Sequence, residues 1–356
     1  MARGADLAAS PVVTRVTLLM PNRDNDRVLD TVLDRLAVNT TYPDVELIVI
    51  DDGSVDGSRE ILRRWRRSGR FPRFEVIEKE GSGVMESLNL GLATATGSHV
   101  VQLDADASVE TPGWVETMLA FFERDERVGV TTAKVVMDNG LLHACGIDVL
   151  GPEGLRDRPA DLEEPVGRRS WHYRVSHRPH GLRPDVEGRI AEVDSGLGCC
   201  MMLRSEDVVA LGGWDTGYTP VWFDDIDLCL GVRKLGRKVF CLPQIRVTHH
   251  VTERGERVPM TPSRAGKAVG RRIARRLPHD VLIRAERRLD ADLTSPDHSR
   301  AQRNRLRGHY AYFRSKWGFD PLNPDQRAIE ARWGGTELCW RTDVERRRAG
   351  EAIASA

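Results

Sequence analysis

The chain has 356 residues, of which 40% are hydrophobic and 30% are charged. This length and composition supply enough apolar side chains for a core and predict one large domain, or one domain with an appendage. Lys plus Arg and Asp plus Glu each number 53, so the chain as a whole has no charge that would attract nucleic acid, and we expect no nucleic-acid partner.

The cysteines and the chain start bear on the compartment. The six cysteines form no CxxC pair, and most lie in apolar runs, as buried free thiols do. This usage predicts a reducing compartment and no zinc site. The start, MARGADLAASPVV, lacks the apolar stretch of a secretory signal, and no run reaches the roughly 18 apolar residues that span a bilayer. We therefore expect a soluble cytoplasmic protein.

Strands and helices alternate over the first 110 residues. Short apolar runs predict strands at 15–21, 45–50, 74–79 and 99–106. Apolar residues at helical spacing predict helices at 26–38, 58–67 and 84–95. This alternation predicts an α/β fold with a mainly parallel sheet flanked by helices. In such a sheet, ligands bind beyond the carboxyl ends of the strands.

The pattern changes after residue 110. Further elements are predicted as a helix at 111–125, strands at 128–137 and 141–150, strand then helix within 192–215, a helix at 223–236 and extended chain at 238–250. Residues 151–190 are rich in Gly, Pro, Arg and His without apolar periodicity, which predicts a loop insert. A loop of this length is either functional, as a lid or an acceptor-binding wall, or a solvated loop.

The composition divides the chain into three parts. Residues 1–12 are predicted to be a flexible tail, 13–255 the main domain, and 256–356 a basic, mostly helical appendage. Residues 264–290 hold nine Lys/Arg against three Asp/Glu at helical spacing. A basic amphipathic helix can contact an anionic membrane surface, here the inner face of the membrane, or dock on the main domain with a solvated Arg face.

Two acidic motifs follow predicted strands. Asp51 and Asp52 come directly after the strand at 45–50 and precede a Gly-Ser turn, where they either contact a ligand or cap the next helix. Asp104 and Asp106 end the strand at 99–106 as a D-x-D motif. Two carboxylates at this spacing can bind Mg²⁺ or Mn²⁺, often shared with substrate phosphates, although D-x-D also occurs in loops without metal.

Acids, histidines and tryptophans cluster again near residue 225. In WFDDIDLCLG, Asp224, Asp225 and Asp227 either interact with the positive end of a helix or present a carboxylate that acts as a general base. His249 and His250 follow an extended segment, so at most one of them faces the site. Trp214 and Trp222 flank the acids and either stack on a sugar or pack in the core.

Four stretches together resemble a known enzyme family. They are VTLLMPNRDNDRVLDTVLDRL, VELIVIDDGSVDGSREIL, GLATATGSHVVQLDADASVETPGWVE and GGWDTGYTPVWFDDIDLCLGVRKLGRKVFCLPQIRVTHH. In content and order, over about residues 14–252, they resemble the inverting family-2 glycosyltransferases. The resemblance implies a GT-A fold, a Rossmann-like sheet flanked by helices, for residues 13–255. The EKEGSGV turn departs from the Asn-x-Gly turn often found in the family.

The resemblance also implies roles for single residues. The nucleotide pocket would be formed by Pro21, Asn22, Arg23, Asp51, Asp52 and Asp104. The divalent cation, Mn²⁺ or Mg²⁺, would be bound by Asp104, Asp106 and His249, with His250 as the alternative to His249. Asp225 would be the catalytic base, and the acceptor would contact Asp224, Trp214 and Trp222.

The implied activity is metal-dependent transfer of a sugar, with inversion, from a nucleotide-diphosphate sugar to an acceptor hydroxyl. A UDP-sugar is the preferred donor, and the acceptor is a glycan, a lipid-linked sugar or a natural product, as in cell-wall or polysaccharide biosynthesis. Two alternatives stay open. QLDADAS faintly resembles the D-x-D motif of haloacid-dehalogenase-type phosphatases, and a non-catalytic nucleotide-sugar-binding protein could share the same pocket.

Overall fold

The computed structural model describes residues 14–138, 140, 142–148, 176–177, 190–250 and 300–318. The predicted tail at 1–12, nearly all of the 151–190 insert and the basic segment at 264–290 lie outside the described residues. Among the residues described, no helix combines the length and the apolar character that crossing a bilayer requires.

Twelve strands and seven α-helices form the described parts of the chain. The strands are β1 Val16–Asn22, β2 Val45–Asp52, β3 Phe74–Lys79, β4 His99–Leu103, β5 Ala107–Val109, β6 Val128–Met137, β7 Leu142–Ala144, β8 Ile147–Asp148, β9 Ser176–His177, β10 Ala191–Glu192, β11 Cys200–Arg204 and β12 Lys238–His249. The helices are α1 Leu29–Asn39, α2 Ser58–Ser68, α3 Val84–Thr94, α4 Trp114–Arg124, α5 Ser205–Ala210, α6 Asp224–Lys234 and α7 Arg300–Trp317.

One sheet organises the molecule, with the strand order β10-β12-β6-β11-β4-β1-β2-β3. The strands β4, β1, β2 and β3 are parallel neighbours, as predicted. The rest of the sheet is more mixed than predicted, because β11 lies between β4 and β6 and is antiparallel to both. An apolar run predicts a strand but carries no information about its direction, so the sequence analysis missed this reversal.

The sheet is buried on both faces. Along β1, Leu18 and Met20 pack with the cluster that contains α1 and α4, whereas Leu19 packs with the cluster that contains α3 and α6. This alternation follows from the two-residue period of a strand. Burying each such side chain contributes about 1.5–3 kcal/mol. All five cysteines within the described residues are buried and free.

Helix α3 lies very close to the sheet at Gly91. A Cβ atom at this position would lie 2.8 Å from Cδ1 of Ile50 and 2.9 Å from Cδ2 of Leu19. Because these contacts are shorter than normal van der Waals distances, only glycine allows α3 to pack at this depth. This packing fixes α3 beside the carboxyl ends of β1 and β2.

Three predicted boundaries differ from the structure. The first helix begins at Leu29 rather than at 26, and β4 ends at Leu103, which places Asp104 and Asp106 in the turn that follows it. The strand predicted at 141–150 is two short strands, β7 and β8, with Gly146 between them at φ 87°. A left-handed residue interrupts an extended strand, and the apolar pattern alone did not reveal it.

Candidate active site

The carboxyl ends of β1 and β2 hold a hydrogen-bonded polar cluster. Asn22 and Asp51 are register partners, and the Asn22 amide donates to Asp51 Oδ2 at 2.9 Å. The other carboxylate oxygen of Asp51 accepts from the Ser54 backbone N–H at 3.1 Å and from Arg59 Nε at 2.9 Å. Burial alone would raise the pKa of Asp51, but hydrogen bonds from Ser54, Arg59 and Asn22 outweigh it and hold the pKa below its ordinary value.

Asp52 has an equally complete set of partners. Its carboxylate contacts the Lys79 ammonium and accepts from the backbone N–H groups of Ser82 at 2.8 Å and Gly83 at 2.9 Å. Burial opposes ionisation, yet these donors lower the pKa of Asp52. Asp52 therefore ties β2 to the loop that precedes α3.

The other two residues predicted at the nucleotide pocket differ in exposure. Pro21 is buried in β1, opposite Ile50 of β2. Arg23 is half-exposed, and its guanidinium lies 3.8 Å from Asp52 Oδ2. Any Cβ at Gly81 would lie 2.5 Å from this guanidinium, so the glycine in the EGSG turn leaves room for Arg23 over the loop. Arg23 thus places a positive charge at the open edge of the cluster.

Beyond β4, two carboxylates and an imidazole converge. His249 Nε2 lies 3.2 Å from Asp106 Oδ1 and 3.9 Å from Asp104 Oδ2. One donor atom from each of the three residues lies within 4.8 Å of the other two. Two carboxylates and one imidazole are ligands that suit Mn²⁺ and Mg²⁺, and all three side chains are partly exposed, so the set fits a divalent cation that also contacts a ligand.

The pairing of β12 with β5 selects His249 over His250. His249 is in register with Ala107, between the D-x-D acids and Ser108. His250 points elsewhere, with Nε2 2.8 Å from Ser108 Oγ and Nδ1 2.6 Å from Asp138 Oδ1. Burial lowers the pKa of His249, but the hydrogen bond and charge of Asp106, with the charge of Asp104, outweigh it and raise the pKa above its ordinary value.

The second acid pair lies at the start of α6. Asp224 Oδ1 accepts from the Trp222 backbone N–H at 2.9 Å. Asp225 accepts from the Gly198 backbone N–H at 3.2 Å and from the Ile226 backbone N–H at 2.8 Å. Both side chains are partly buried. Within the described residues, these two carboxylates accept hydrogen bonds from backbone amides and from no charged side chain.

This environment raises the pKa of both acids. Burial is the main cause for Asp225 and raises its pKa to about 6, despite the backbone donors. Burial also raises the pKa of Asp224 well above its ordinary value, and the charges of Asp225 and Asp104 add to the effect. A carboxylate with a raised pKa is a stronger base, which suits Asp225 to removing a proton near neutral pH.

A single segment, residues 198–199, connects the candidate metal ligands to the second acid pair. The Gly198 N–H donates to Asp225 Oδ2 at 3.2 Å, and the next carbonyl, that of Cys199, accepts from the Asp104 N–H at 3.2 Å. A Cβ on Gly198 would lie 2.7 Å from Gln102 Nε2 and 3.5 Å from the Asp225 Cβ. The two residues directly before β11 therefore place the candidate base beside the D-x-D turn.

The turn before α6 holds an unusual backbone. Trp222 has φ 88° and Phe223 has φ 71°, although both are bulky and neither is glycine. Such residues in the left-handed region cost about 1–3 kcal/mol each and concentrate at functional sites. The partly exposed Trp222 lies directly before Asp224. A contact between Trp222 and the acceptor stays a prediction.

Trp214 was predicted either to stack on a sugar or to pack in the core. The structure places it in the core and not at an acceptor surface. It is 2% exposed, and its indole N–H donates to Gln102 Oε1 at 2.7 Å. Its backbone N–H and carbonyl both bond the Asn89 amide, at 2.8 Å each. A ring enclosed in this way offers no face for a sugar to stack on.

Several residues of the site were missing from the sequence analysis. They are Ser54, Arg59, Lys79 and Gly198. Arg59 lies in the first turn of α2, the helix that follows Asp51. The loop between β2 and α2 folds back, so that the Arg59 side chain contacts Asp51 at the end of β2. Gly198 gave no signal, because its importance depends on contacts with residues far away in the chain.

A family model matches this chain. The model described as glycosyl transferase family 2 matches residues 17–179. The match includes β1 to β6, with both Asp51-Asp52 and the D-x-D turn, and ends before α6 and β12. It favours the glycosyltransferase interpretation of these motifs over the phosphatase interpretation.

Two curated relatives match about two thirds of this chain. An uncharacterized protein, y4gI of Sinorhizobium fredii, is 27% identical over 238 residues, which is 66% of this chain and 24% of that protein. The O-antigen biosynthesis protein RfbC of Myxococcus xanthus is 24% identical over 255 residues, which is 69% of this chain and 18% of that protein. The chain thus spans about a quarter or less of the length of these two relatives.

Solved structures share the fold. A crystal structure of GalNAc-T7 with UDP, GalNAc and Mn²⁺ aligns with a TM-score of 0.53 and 16% identity, over 86% of this chain and 58% of that one. At this identity the likeness concerns the fold alone. It confirms the predicted GT-A architecture for the central sheet and its helices.

Proposed function

Because the chain carries a domain of glycosyl transferase family 2, we propose that it is a metal-dependent glycosyltransferase that moves a sugar from a nucleotide-diphosphate donor to an acceptor hydroxyl. The observation that supports this most strongly is the junction at Gly198 and Cys199. There, a set of ligands suited to a divalent cation and a carboxylate with a raised pKa are connected through two consecutive residues.

The donor is assigned to the edge formed by β1, β2 and β4. Asn22, Asp51 and Asp52 shape the pocket for the base and ribose, and Arg23 supplies a positive charge near the diphosphate. Asp51 and Asp52 are already fully hydrogen-bonded, so their main contribution is a preformed, rigid pocket. UDP is the nucleotide that we propose first, from the resemblance of the motifs.

The cation site is assigned to Asp104, Asp106 and His249. A bound Mn²⁺ or Mg²⁺ would neutralise the diphosphate charge and thereby help it to leave. The residues of the chain provide the remaining chemistry. Asp225 accepts the proton of the acceptor hydroxyl as that oxygen attacks the anomeric carbon, and its raised pKa makes it a stronger base for this step.

The proposed stereochemistry is inversion. A single displacement needs one base and changes the anomeric configuration, whereas a double displacement needs a second carboxylate as nucleophile. Asp224 is held by the Trp222 N–H and lies beside Asp225, so we assign it to orienting the acceptor and not to forming a covalent intermediate. Proton NMR of the first product formed would show the anomeric configuration directly.

The acceptor is assigned to the turn before α6. Trp222 is partly exposed next to the acid pair, and a tryptophan ring offers a flat apolar face that suits the C–H face of a sugar. This favours a carbohydrate acceptor, free or lipid-linked, over a small acceptor without a sugar ring. The 151–190 insert remains a candidate second wall of this pocket, and the basic segment at 264–290 remains a candidate for membrane contact.

The first experiment is a thermal-shift panel on the full chain. UDP, GDP, CDP and dTDP are each tested with and without Mn²⁺, since a ligand that binds only the folded protein raises its melting temperature. We expect a shift with UDP that Mn²⁺ enlarges. Sugar transfer from the matching nucleotide sugars is then tested with carbohydrate acceptors.

The outcomes separate the interpretations. A rise in melting temperature with a nucleotide, together with sugar transfer, supports the proposal. The same rise without sugar transfer to any acceptor and without hydrolysis of the donor supports a binding protein. Release of inorganic phosphate from a phosphomonoester, without any effect of nucleotide, would support a phosphatase. The last two results would each overturn the proposal.

A further inference from the structure

Helix α7 packs against the turn that leads into the candidate base. It comes from residues 300–317, beyond the family match, yet its Phe313 is 0% exposed and its Trp317 is 5% exposed. These two rings form one apolar cluster with Tyr218, Ile226 and Leu230, which lie on either side of Asp224 and Asp225 in the chain, and with Ile147 of β8. The C-terminal region is therefore part of the structure that surrounds the site.

A buried charge anchors α7 to α6. Asp227 is 6% exposed and accepts from Trp317 Nε1 at 2.7 Å, Lys316 Nζ at 2.8 Å and the Tyr218 hydroxyl at 3.1 Å. Lys316 also contacts Asp215 at 2.5 Å. Asp227 thus does more than interact with the helix dipole. It orients α7 on the first turn of α6, two residues after Asp225.

About two turns before Lys316 and Trp317 in α7, His309 contacts the turn 219–223 directly. The ring is 7% exposed, with Nε2 3.0 Å from the Thr219 carbonyl oxygen and Nδ1 3.1 Å from the Val221 carbonyl oxygen. A carbonyl oxygen only accepts, so both contacts are hydrogen bonds only when both ring nitrogens carry hydrogen.

The turn needs such support. Trp222 and Phe223 adopt positive φ, which costs about 1–3 kcal/mol each and persists only where the surroundings impose it. Trp222 then donates its N–H to Asp224, and Asp225 follows. A relaxed backbone at 222–223 would rotate the start of α6 and move both carboxylates.

We propose that α7 holds the turn 219–223 in its strained conformation and that His309 is the positioning residue that thereby sets the place of Asp225 and Asp224. The inference rests on the proposed function, because it assigns a catalytic consequence to that turn. His309 acts through the backbone of the turn and does not contact the reacting atoms. The C-terminal helix is then a component of the active site and not a separate appendage.

The test uses His309→Phe, which keeps a ring of similar size and removes both ring nitrogens, and His309→Gln, which keeps one polar end. Ser315→Ala, at an exposed position on the same helix, is the matched control. Hydrogen exchange of the full chain is followed by mass spectrometry at 216–226 and at β2. We expect His309→Phe to speed exchange at least tenfold at 216–226 and to leave β2 and the Ser315→Ala protein unchanged.

Kinetics supply the second readout. With the nucleotide sugar and acceptor found active for the unmodified chain, His309→Phe should lower kcat by about 10–100-fold with an unchanged KM for the donor, since misplacement by about 1 Å has effects of this size. The kcat of the His309→Gln protein should lie between that of the unmodified chain and that of the His309→Phe protein. A merely structural role would lower the melting temperature and leave kcat per folded molecule unchanged.

Two results would overturn the inference. One is unchanged exchange at 216–226 in the His309→Phe protein, and the other is faster exchange spread evenly over α7 and β2, which would make His309 an ordinary packing residue. Because exchange needs no substrate, it decides the inference even where the full-length chain shows no sugar transfer. The thermal-shift panel with UDP and Mn²⁺ tests the proposed function separately.

Discussion

The chain contains two adjacent aspartate pairs, Asp51-Asp52 and Asp224-Asp225, and their environments are opposite. Both carboxylates of the first pair have a lowered pKa, although burial by itself would raise it. Arg59, Lys79 and several backbone amides outweigh the cost of burial there. Both carboxylates of the second pair have a raised pKa, because burial is opposed only by backbone amides.

The difference shows how one dipeptide can serve two purposes. A carboxylate saturated with donors is a fixed, ionised group that shapes a pocket and does not readily take up a proton. A carboxylate that lacks a cationic partner has a higher proton affinity and can accept a proton during a reaction. The distinction depends on the residues that fold around each pair, and each of the following predictions tests one side of it.

The largest expected effect comes from Asp225→Asn. Removing a general base lowers kcat by about a hundredfold to ten-thousandfold, and donor binding should stay near normal because Asp225 lies outside the donor edge. Transfer is measured by product formation, and donor binding by titration with UDP and Mn²⁺.

The matched control for that variant is Asp34→Asn. Asp34 lies on the surface of α1 and forms an exposed ion pair with Arg70 at 2.8 Å, which contributes little to stability. The Asp34→Asn substitution should leave both sugar transfer and donor binding unchanged. Loss of donor binding in folded Asp225→Asn protein would contradict the role of Asp225 as the base.

The next effect concerns the cation. His249→Ala should weaken Mn²⁺ binding by about 10–100-fold, because it removes one of three converging ligands. His250→Ala should have a smaller effect, since His250 contacts Ser108 and Asp138 and only helps to position β12. Electron paramagnetic resonance of free Mn²⁺ measures the affinity without any substrate. Equal losses in the two variants would contradict the assignment of His249.

The structure of the first half of the molecule could be predicted from the sequence better than that of the second half. Alternating apolar runs placed β1 to β4 and the acids at their carboxyl ends, because buried parallel strands have a strong local signature. The direction of β11 and the interruption at Gly146 depend on distant packing, which local periodicity does not encode. The burial of Trp214 likewise depends on Gln102 and Asn89, far away in the chain.

The site could be predicted in part for the same reason. The D-x-D acids and Asp225 form short motifs at element ends, so the sequence marked them as candidates. The contacts of Gly198 and His309 were invisible, because each residue is hydrogen-bonded to a partner more than 25 positions away in the chain. For Asp227 the sequence predicted either an interaction with the helix dipole or a role as a base, and its link to Lys316 and Trp317 emerged only from the packing of α7.

The third prediction is the pH dependence of transfer. The base must be ionised, and burial raises the pKa of Asp225 to about 6. We therefore expect kcat to fall about tenfold for each pH unit below that value and to level off above it. Rates are measured with saturating donor, acceptor and Mn²⁺, so that loss of metal does not mimic the effect. A midpoint near the ordinary aspartate value would mean that the ionising base is exposed and therefore not Asp225.

The smallest effect is on stability, and it has opposite signs for the two pairs. At pH 7 the lowered pKa of Asp51 contributes stability that disappears as the pH falls through its folded value, so Asp51→Asn should destabilise the chain by about 1–3 kcal/mol. The raised pKa of Asp224 has the reverse sign, because its ionised form costs stability at any pH above its folded value.

Asp224→Asn keeps an oxygen for the Trp222 N–H and removes a charge next to Asp225, so it should raise the melting temperature at pH 7. That gain should vanish at low pH, where Asp224 is protonated in both the folded and the unfolded chain, whereas the loss in Asp51→Asn should shrink as Asp51 itself becomes protonated. Thermal unfolding of both variants from about pH 2 to about pH 8 measures the two trends, because the lowered pKa of Asp51 places its titration below the ordinary aspartate value. Shifts of the same sign at pH 7 would show that the two pairs share one kind of environment, and the proposed division between a fixed and a reactive pair would then be wrong.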